Sequence, residues 1–583
     1  MKLGKKAISL LLSGLMLAAA LAGCSNGNGG STGEPASTPS SGGAGSEAGG
    51  APKTNADREN VAITFSQPNT SIDNVDQFQN DPILAAIQEA TNLTINWDSG
   101  FDGYTDRLEA ELIAGTGADL FPSYGELEKS SKWIKDGMVV NIGEIVSADP
   151  ERYPILNEMI SSPTWKMYNN YYAGDADASY CIYALYANKG WAGAPVYNKA
   201  IMDEVGVTET PETVDEFVDY CNKVAATGKA GWWPRNNKLA NDAGLNEMDK
   251  TICAPNGTTM MPPVGNAWSG FMPVDRNNVE GEWKLMTTSE KTKEAVKTLA
   301  GMYKTNALDN GIGIRDDFAE AIDNFVTGQI GACNYGFTNY GQYDWVVTEK
   351  WLKGNPDGSY EDIALGTPLK GSEGRSVTYN APYWMGYNWF IPISCENPDR
   401  VLDLLEYLAS DAGQNLLFHG AGDADWTGDQ WNEVNKIYGV EDGRLKYLWF
   451  SYLFAASQEQ LSLEAGGDWY EISMSPIRVD RYPEGAQKDY AMGVLDSYGL
   501  ESFGELPPYF TIISFTDEMN EARTKMKEIT LQYIPAFIAG QKDIDAEWAK
   551  YVADYEAAGA AALEEAFNKG ISEAKATYDS FQK

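Results

Sequence analysis

The sequence predicts an α/β fold divided into more than one domain. Strand-like and helix-like segments alternate: VAITFSQPN (61–69) reads as a strand that runs into a loop, and it is followed by a helix at 82–90 and a strand at 93–97. An amphipathic helix at 104–114 leads to a short strand that reaches 123–124. Such alternation is typical of a largely parallel sheet covered by helices. A chain of 583 residues is also too long for one hydrophobic core.

The N-terminal residues have the composition of a processing signal and a tether. A basic start precedes an apolar stretch at 7–22, which is typical of a signal peptide, predicted here for 1–23. LAGC at 21–24 resembles a bacterial lipobox, which implies that Cys24 is lipidated and becomes the mature N-terminus. A secretory signal without lipidation is the alternative. Residues 24–57, rich in Gly, Ser and Pro, are predicted to form a flexible linker.

The predicted location is therefore the extracellular face of the cell membrane, with the lipid on Cys24 as the anchor. A diacylglyceryl group has two chains, which is enough for stable anchoring. No later stretch reaches about 18 consecutive apolar residues, so we expect no further membrane span.

The net charge, the single histidine and the cysteine spacing argue against several classes of function. The net charge of −39 repels phosphate groups and argues against unspecific nucleic-acid binding. The only histidine is His419, so histidine-rich metal sites are impossible, and its place before Gly420 favours a helix C-terminus. The remaining cysteines have irregular spacing and no CxxC pair, which favours buried free thiols over the alternative of up to two disulfides; they are Cys181, Cys221, Cys253, Cys333 and Cys395.

The stretch PYWMGYNWFIPIS (382–394) is the most informative about a ligand. Trp384, Tyr387 and Trp389 lie within six residues and precede an apolar run, FIPI, which reads as a short buried strand. Large rings with one polar edge suit a ligand with apolar faces and a hydroxylated rim, such as a pyranose. Ordinary core packing is the alternative for each ring.

Polar residues near the strand ends are a second set of candidates. In α/β sheets, ligands bind beyond the carboxyl ends of the strands. The predicted strands of the first domain end near Gln67, Ser123, Tyr124 and Glu126, which we therefore expect at a ligand-binding edge.

Five segments in order resemble the extracellular solute-binding proteins of ABC importers, to which the maltose-binding proteins are close structural relatives. AELIAGTGADLFPSYGE and the helix after it (110–146) are similar to the turn, strand and helix of the family's first lobe. The run at 184–217 resembles the entry to the second lobe, and DNFVTGQIGACNYG (323–336) its helix-to-strand step. WFIPIS (389–394) resembles the returning strand, and 532–559 the terminal helices of oligosaccharide-type members.

The resemblance implies a two-lobed, type II periplasmic-binding-protein-like fold with discontinuous lobes and a cleft between them. The implied first lobe is 58–165 with 388–445, and the second is 166–387 with 446–583. The implied function is the capture of a carbohydrate, of oligosaccharide size, and its delivery to an ABC transporter permease by cleft closure. It implies no enzyme activity and no cofactor, and we expect a monomer.

The resemblance also implies where aromatic side chains contact a sugar in the cleft. The ring candidates are Trp191, Trp232, Trp233, Tyr335, Phe337, Tyr509 and Phe510. Asp468 is a candidate polar partner. Two features depart from the family pattern: Ala118 replaces a usual proline, and 420–504 reads as an insertion.

Three alternatives remain open on sequence grounds. A glycosidase needs two carboxylates about 5–10 Å apart, and no motif places such a pair. A surface adhesin, or a binding protein for a peptide or another nutrient, would share most of these features. A calcium loop at 423–433 (DADWTGDQWNE) has glycine at position six but places Glu433 at position eleven instead of twelve.

Overall fold

A computed structural model describes the chain at residues 55, 58–67, 82–99, 104–124, 127–187, 194–234, 242–313, 318–334, 351–380, 383–410, 412–413, 416 and 503–582. All of these residues belong to one compact unit, 51–583. No helix within the described ranges is long and apolar enough to cross a membrane.

The strands alternate with helices along the chain, as the sequence predicts. The strands are β1 Val61–Gln67, β2 Leu93–Ser99, β3 Phe121–Tyr124, β4 Cys181–Ala187, β5 Val196–Asn198, β6 Ala230–Trp233, β7 Phe271–Pro273, β8 Trp283–Leu285, β9 Ile330–Cys333, β10 Ile363–Leu365, β11 Lys370–Gly371, β12 Gly374–Arg375, β13 Thr378–Asn380, β14 Tyr383–Phe390 and β15 Phe503–Glu505. The helices are α1 Pro82–Thr91, α2 Tyr104–Ala114, α3 Leu127–Lys135, α4 Ile142–Ala148, α5 Pro154–Ser161, α6 Pro163–Ala173, α7 Lys199–Glu204, α8 Val214–Ala226, α9 Asp242–Met248, α10 Glu290–Thr305, α11 Phe318–Val326, α12 Pro398–Ala409, α13 Asp517–Ile538, α14 Ile544–Ala557 and α15 Ala560–Phe581.

What we call the first sheet consists of a parallel pair, β1-β2, and a three-stranded part with the order β3-β14-β4. β1 and β2 are parallel over their whole length. A parallel contact between Phe65 and Leu120 joins β1 to the segment that enters β3. β14 lies antiparallel between β3 and β4, so β14, far along the chain, completes a sheet begun near the N-terminus.

Aromatic rings fill the core of this sheet. The ring of Trp133 on α3 meets Phe121 at 5.8 Å and Phe390 at 5.7 Å, both edge to face. On β4, Tyr183 packs against Trp165 of α6, with ring centroids 4.9 Å apart. Full burial of a large apolar side chain contributes about 1.5–3 kcal/mol to the free energy of unfolding. These rings therefore hold the helices against the sheet.

The second sheet has the order β10-β5-β9-β6. β6 and β9 are parallel, whereas β5 runs antiparallel to both β9 and β10. Helix α8 covers this sheet and begins with a capping box between Thr213 and Glu216, which satisfies two backbone N–H groups at the helix start. Its Phe217 lies edge-on against Trp232 of β6, so the helix is held by both its cap and its apolar face.

The C-terminal helices contact elements near both sheets. Phe567 of α15 stacks on Phe271 of β7 at 4.4 Å. The Asn568 side chain accepts a hydrogen bond from the backbone N–H of Trp283 and donates one to its carbonyl, thereby extending the β7–β8 hairpin. Just before α13, the Thr511 hydroxyl lies 2.9 Å from Tyr168 Oη of α6, a helix of the first sheet.

The predicted strand after the aromatic stretch is displaced in the structure. The sequence predicts a strand at FIPI (390–393), but β14 covers Tyr383–Phe390 and includes only the first residue of that run. The reason is pairing: β3 and β4 lie beside residues 383–390, whereas beyond them only one bridge, Val139 to Pro392, continues the ladder. Ile393 is consequently 64% exposed.

A proline marks the start of the helix that follows this stretch. α12 starts at Pro398, because proline at the first helical position needs no backbone N–H and has a helical φ. The prediction of free thiols is confirmed for the five cysteines after Cys24, of which four are buried and Cys395 is partly buried.

Candidate functional site

The parallel strands of each sheet end at one edge, and eight residues of sequence separate the end of β4 from the start of β5. In the first sheet β1, β2, β3 and β4 end at Gln67, Ser99, Tyr124 and Ala187, and in the second β6, β9 and β10 end at Trp233, Cys333 and Leu365. Residues 188–195 join Ala187 to the start of β5, a span of at most about 30 Å when fully extended. Because ligands of α/β proteins bind at such carboxyl edges, we take the two edges together as the candidate site.

Hydroxyl and amide side chains lie near the edge of the first sheet. Ser123 of β3 is directly opposite Asn388 of β14, and Asn388 is opposite Tyr183 of β4, so the three side chains share one face. Ser130 Oγ lies 3.0 Å from Ser123 Oγ, and Tyr183 Oη donates to Asn169 Oδ1 at 3.1 Å. This edge is therefore built on buried polar groups instead of a purely apolar face.

A second polar network lies at the edge of the second sheet and centres on Asn334, which follows β9. Asn334 Oδ1 accepts a hydrogen bond from Trp232 Nε1 at 2.7 Å, and its Nδ2 donates to Thr251 Oγ1 at 2.8 Å. The Asn334 backbone N–H donates to the carbonyl of Trp233 at 3.1 Å. One buried side chain thus connects β6, β9 and the helical segment that follows α9.

That helical segment contains a π-helical turn at Asp249–Cys253, in which every residue is buried. The Asp249 carboxylate accepts hydrogen bonds from the Met260 N–H at 2.6 Å and the Thr259 hydroxyl at 2.9 Å. Burial raises the pKa of Asp249 to about 6, although these hydrogen bonds oppose the rise. Beside it, Lys250 Nζ and Glu247 Oε1 form a buried ion pair at 3.1 Å.

Five predicted ring contacts have buried side chains in this structure. Trp389 stacks on Phe65 with ring centroids 5.1 Å apart and an interplanar angle of 16°. Phe510 packs against Trp283 at 5.7 Å. The five residues are Trp232, Trp233, Trp389, Tyr509 and Phe510, and none is more than 2% exposed. A ring buried to this extent has no free face for a sugar in this conformation, so a binding role for these residues stays a prediction.

Tyr509 is held by charged neighbours as well as by packing. Its hydroxyl donates to Glu280, and Lys575 Nζ lies 2.9 Å from the same carboxylate oxygen. Burial, and then the hydrogen bond to the Glu280 carboxylate, raise the pKa of Tyr509. The surroundings of this side chain are those of a structural contact between the C-terminal helices and the β7–β8 hairpin.

The other predicted residues divide into two groups. Gln67, Tyr124, Trp384 and Tyr387 have backbones in described strands at the edge of the first sheet, where Tyr124 is directly opposite Tyr387. The second group lies outside the described residues and consists of Cys24, Glu126, Trp191, Tyr335, Phe337 and Asp468. The proposed calcium loop at 423–433 and His419 also lie outside them. In the described part of the chain, no group of three metal-ligating side chains is suited to hold an ion.

Sequence reasoning did not identify Asn334, Thr251 or Asn388. Each is a single polar residue in an otherwise apolar or mixed segment, and no spacing rule distinguishes it from a surface residue. The usable signal was the position of Asn334 in GACNYG, directly before the predicted ring residue Tyr335. An asparagine at the end of an apolar strand is a candidate for a buried hydrogen-bonding role.

Comparison with known proteins gives both a family and a fold. A family model described as "Bacterial extracellular solute-binding protein" matches residues 82–424, more than half of the chain. No sequence among the curated proteins matches the chain.

Three solved structures resemble the chain over most of its length. An HMO-binding, ABC-transporter-associated solute-binding protein from Bifidobacterium longum infantis has 13% identity and a TM-score of 0.57, covering 88% of this chain and 98% of its own. FusA of S. pneumoniae, solved with kestose, has 14% identity and a TM-score of 0.57, with 88% and 99% covered. An extracellular solute-binding protein from B. longum subsp. infantis has 16% identity and a TM-score of 0.56, with 91% and 100% covered. The predicted two-lobed, type II periplasmic-binding-protein fold is confirmed by these likenesses.

Proposed function

The chain belongs to the family of bacterial extracellular solute-binding proteins, and we propose that it captures a carbohydrate of oligosaccharide size and delivers it to an ABC transporter permease. The observation that carries the carbohydrate proposal is the composition of the first sheet's edge. Ser123 lies opposite Asn388 there, and Tyr124 lies opposite Tyr387 in the next pair. Hydroxyl, amide and aromatic residues are the types that bind the hydroxylated rim and the apolar faces of a sugar ring.

The names of two structural neighbours support this ligand class. One is described as HMO-binding and another was solved with kestose. Their identities to this chain are 13% and 14%, so the likeness itself concerns the fold, and the sugar comes to this chain as part of the proposal.

The proposed mechanism is closure of the two lobes around the ligand. A ligand that contacts both sheet edges binds the closed form more tightly and shifts the population towards it. We propose the lobe ranges predicted above, with one adjustment at the crossing. Because β4 and β14 pair in the first sheet, the first lobe should extend from 58–165 to residue 187 and resume at 383 instead of 388.

The proposal also includes a membrane anchor and a lack of catalytic activity. Cys24 would carry the lipid, and 24–57 would tether the body at the extracellular face. We propose a monomer that needs no cofactor and does not cleave its ligand. The charged groups described beside the second edge already have partners: Asp249 accepts two hydrogen bonds from residues 259 and 260, and Glu247 pairs with Lys250.

Thermal unfolding of residues 51–583 with a sugar panel tests this function. The panel is kestose, maltotriose and xylotriose, with a tripeptide as the control. At a ligand concentration of about 100 Kd, binding adds about 2.7 kcal/mol to the free energy of unfolding, which raises Tm. A sugar-dependent rise with the sugar recovered intact supports the proposal. A rise with the tripeptide alone contradicts the carbohydrate, and a rise with cleaved sugar indicates a glycosidase.

A further inference from the structure

We infer that Asn334 is a positioning residue for the proposed carbohydrate site, because its side-chain amide fixes the carboxyl end of the second sheet against the π-helical turn at Asp249–Cys253. This inference rests on the proposed function, since it concerns how the second wall of that site is held. Asn334 itself is 1% exposed, so it acts through its neighbours instead of touching a ligand.

The first step of the argument is the set of bonds that Asn334 makes. Its amide oxygen accepts from Trp232 Nε1, its amide nitrogen donates to Thr251 Oγ1, and its backbone N–H donates to the Trp233 carbonyl. The three partners come from β6 and from the π-helical turn. A rotation of this one amide would break two buried hydrogen bonds at once, and each buried group left without a partner is unfavourable.

The second step is that the π-helical turn is itself held from several sides. The Asp249 carboxylate accepts from Met260 N–H and from the Thr259 hydroxyl. The carbonyl of Lys250 accepts from the Ser376 hydroxyl at 2.7 Å. A π-helical turn is rare and often marks a functional position, and here it brings Thr251 to the sheet edge.

The third step concerns the space around the strand ends. A Cβ on Gly231 of β6 would lie 2.4 Å from the Ala307 carbonyl oxygen, so β6 has no room to shift towards its neighbours. The Asp309 N–H also donates to the Trp232 carbonyl at 2.8 Å. Because β6 is held in place, the hydrogen bond between Trp232 and Asn334 also fixes the end of β9, which borders the proposed site.

The test removes one partner of the network without touching Asn334. Thr251→Val keeps the shape of the side chain and deletes the oxygen that accepts from Asn334 Nδ2. The matched control is Thr530→Val in α13 of the C-terminal helices, where an equally buried hydroxyl donates to the Met526 carbonyl at 3.0 Å and lies 2.5 Å from Tyr555 Oη. Thr251→Ser keeps the hydroxyl and should retain wild-type behaviour.

Two readouts are compared for the full mature chain. The first is affinity for kestose and the other panel sugars: Thr251→Val should weaken binding by about threefold to tenfold, as expected for one buried hydrogen bond, and Thr530→Val by less than about twofold. The second needs no ligand: hydrogen exchange of the Asn334 N–H should accelerate in Thr251→Val and stay unchanged in Thr530→Val. Should Thr251→Val not fold, Thr251→Ala removes the same acceptor with a smaller side chain, and the same loss of affinity is expected.

The outcomes separate this inference from the function on which it rests. Weaker binding together with faster Asn334 exchange supports it. Equal affinities of Thr251→Val and Thr530→Val, or an unchanged Asn334 exchange rate, overturn it. If no panel sugar binds the wild type but exchange still accelerates, the carbohydrate function is overturned, whereas the role of Asn334 in holding the sheet edge is supported.

Discussion

Arg58 Nη1 donates to Asp403 Oδ2 at 2.7 Å, which connects the start of the described body to helix α12 across 345 positions of the chain. The same carboxylate also accepts from Arg400 Nη1 at 2.6 Å and from Arg152 Nε at 2.7 Å. Asp403 is only 4% exposed, so one buried carboxylate is shared by three guanidinium groups. This cluster holds the residues that follow the predicted tether against the first lobe.

Asp403→Ala should destabilise the protein by about 3–5 kcal/mol, because it leaves three arginines around a buried site without their shared acceptor. The control is Asp399→Ala, whose side chain is 40% exposed and contacts Arg58 alone among the three. That change should lower the free energy of unfolding by less than about 1 kcal/mol. Urea denaturation measures both, and equal effects would show that the cluster is not a buried unit.

Asp249 should make the protein more stable as the pH falls, whereas an ordinary salt-bridged acid makes a protein less stable as the pH falls. Burial raises its pKa to about 6 from the usual 3.8, so the folded protein binds this proton more tightly than the unfolded chain does. Its contribution to the free energy of unfolding therefore increases as the pH falls from 7 to 4, by roughly 2.4 kcal/mol over this range. Asp249→Asn lacks this contribution.

Urea denaturation of wild type and Asp249→Asn at pH 7, 6, 5 and 4 checks this expectation. The difference between the two free energies of unfolding cancels the titration of the other groups. It should grow in favour of the wild type as the pH falls. A difference that stays constant over this range would mean that Asp249 titrates with an ordinary pKa.

Alanine substitutions of Trp384 and Trp389 should have different effects, the first on sugar binding and the second on stability. Trp384→Ala, at the start of β14 and at the candidate edge, should weaken sugar binding by about twofold to tenfold, the value of one stacked ring. Trp389→Ala removes a ring that is 1% exposed and should lower the free energy of unfolding by about 3–5 kcal/mol. Titration calorimetry and urea denaturation of both variants decide the assignment. A purely structural effect of Trp384→Ala would remove that residue from the proposed site.

Gly231 and Gly301 should respond oppositely to alanine. A Cβ at Gly231 would meet two backbone oxygens, of Ala307 at 2.4 Å and of Cys221 at 2.5 Å, so Gly231→Ala should displace β6 and sharply lower Tm. Gly301 lies inside helix α10 with no atom within 4 Å of the added Cβ. Gly301→Ala should stabilise the protein by about 0.5–1 kcal/mol. Scanning calorimetry compares them, and a tolerated Gly231→Ala would show that β6 can move.

Cys24→Ser should release the protein from the cell. If the predicted lipid on Cys24 is the anchor, the wild type fractionates with membranes and Cys24→Ser is found in the medium. Immunoblotting of the two fractions checks this, and metabolic labelling with a palmitate analogue checks the modification directly. A membrane-bound Cys24→Ser protein would contradict the anchor.

Local sequence predicted the early strands and helices well because their patterns depend on nearby residues. The strand from Val61 and the helix at 104–114 follow periods of two and 3.6 residues, and the structure has both. The displaced strand at β14 shows the limit of such patterns. FIPI is more apolar than YWMGYNWF, yet the ladder forms on the latter because β3 and β4 lie beside it.

The division between core rings and edge rings also depended on tertiary contacts. Within β14, the pairing with β4 shifts register between Met385 and Asn388, which interrupts the simple alternation of faces. A bulge of this kind changes the direction of the side chains. Gly386 lies within the shift, and a glycine inside a strand often marks a bulge, but the face on which each ring then lies depends on the neighbouring strands. Trp389 consequently stacks on Phe65, a contact between residues more than 300 positions apart that only the folded chain creates.

Local order and composition were enough to predict the alternating α/β architecture, the resemblance to solute-binding proteins, and the signal and tether. Folding places Asn334 between Trp232 and Thr251, brings three arginines around Asp403, and buries several predicted ring contacts in the core. The physical reason is that burial and hydrogen bonding depend on which distant segments become neighbours, and a one-dimensional pattern records only near neighbours.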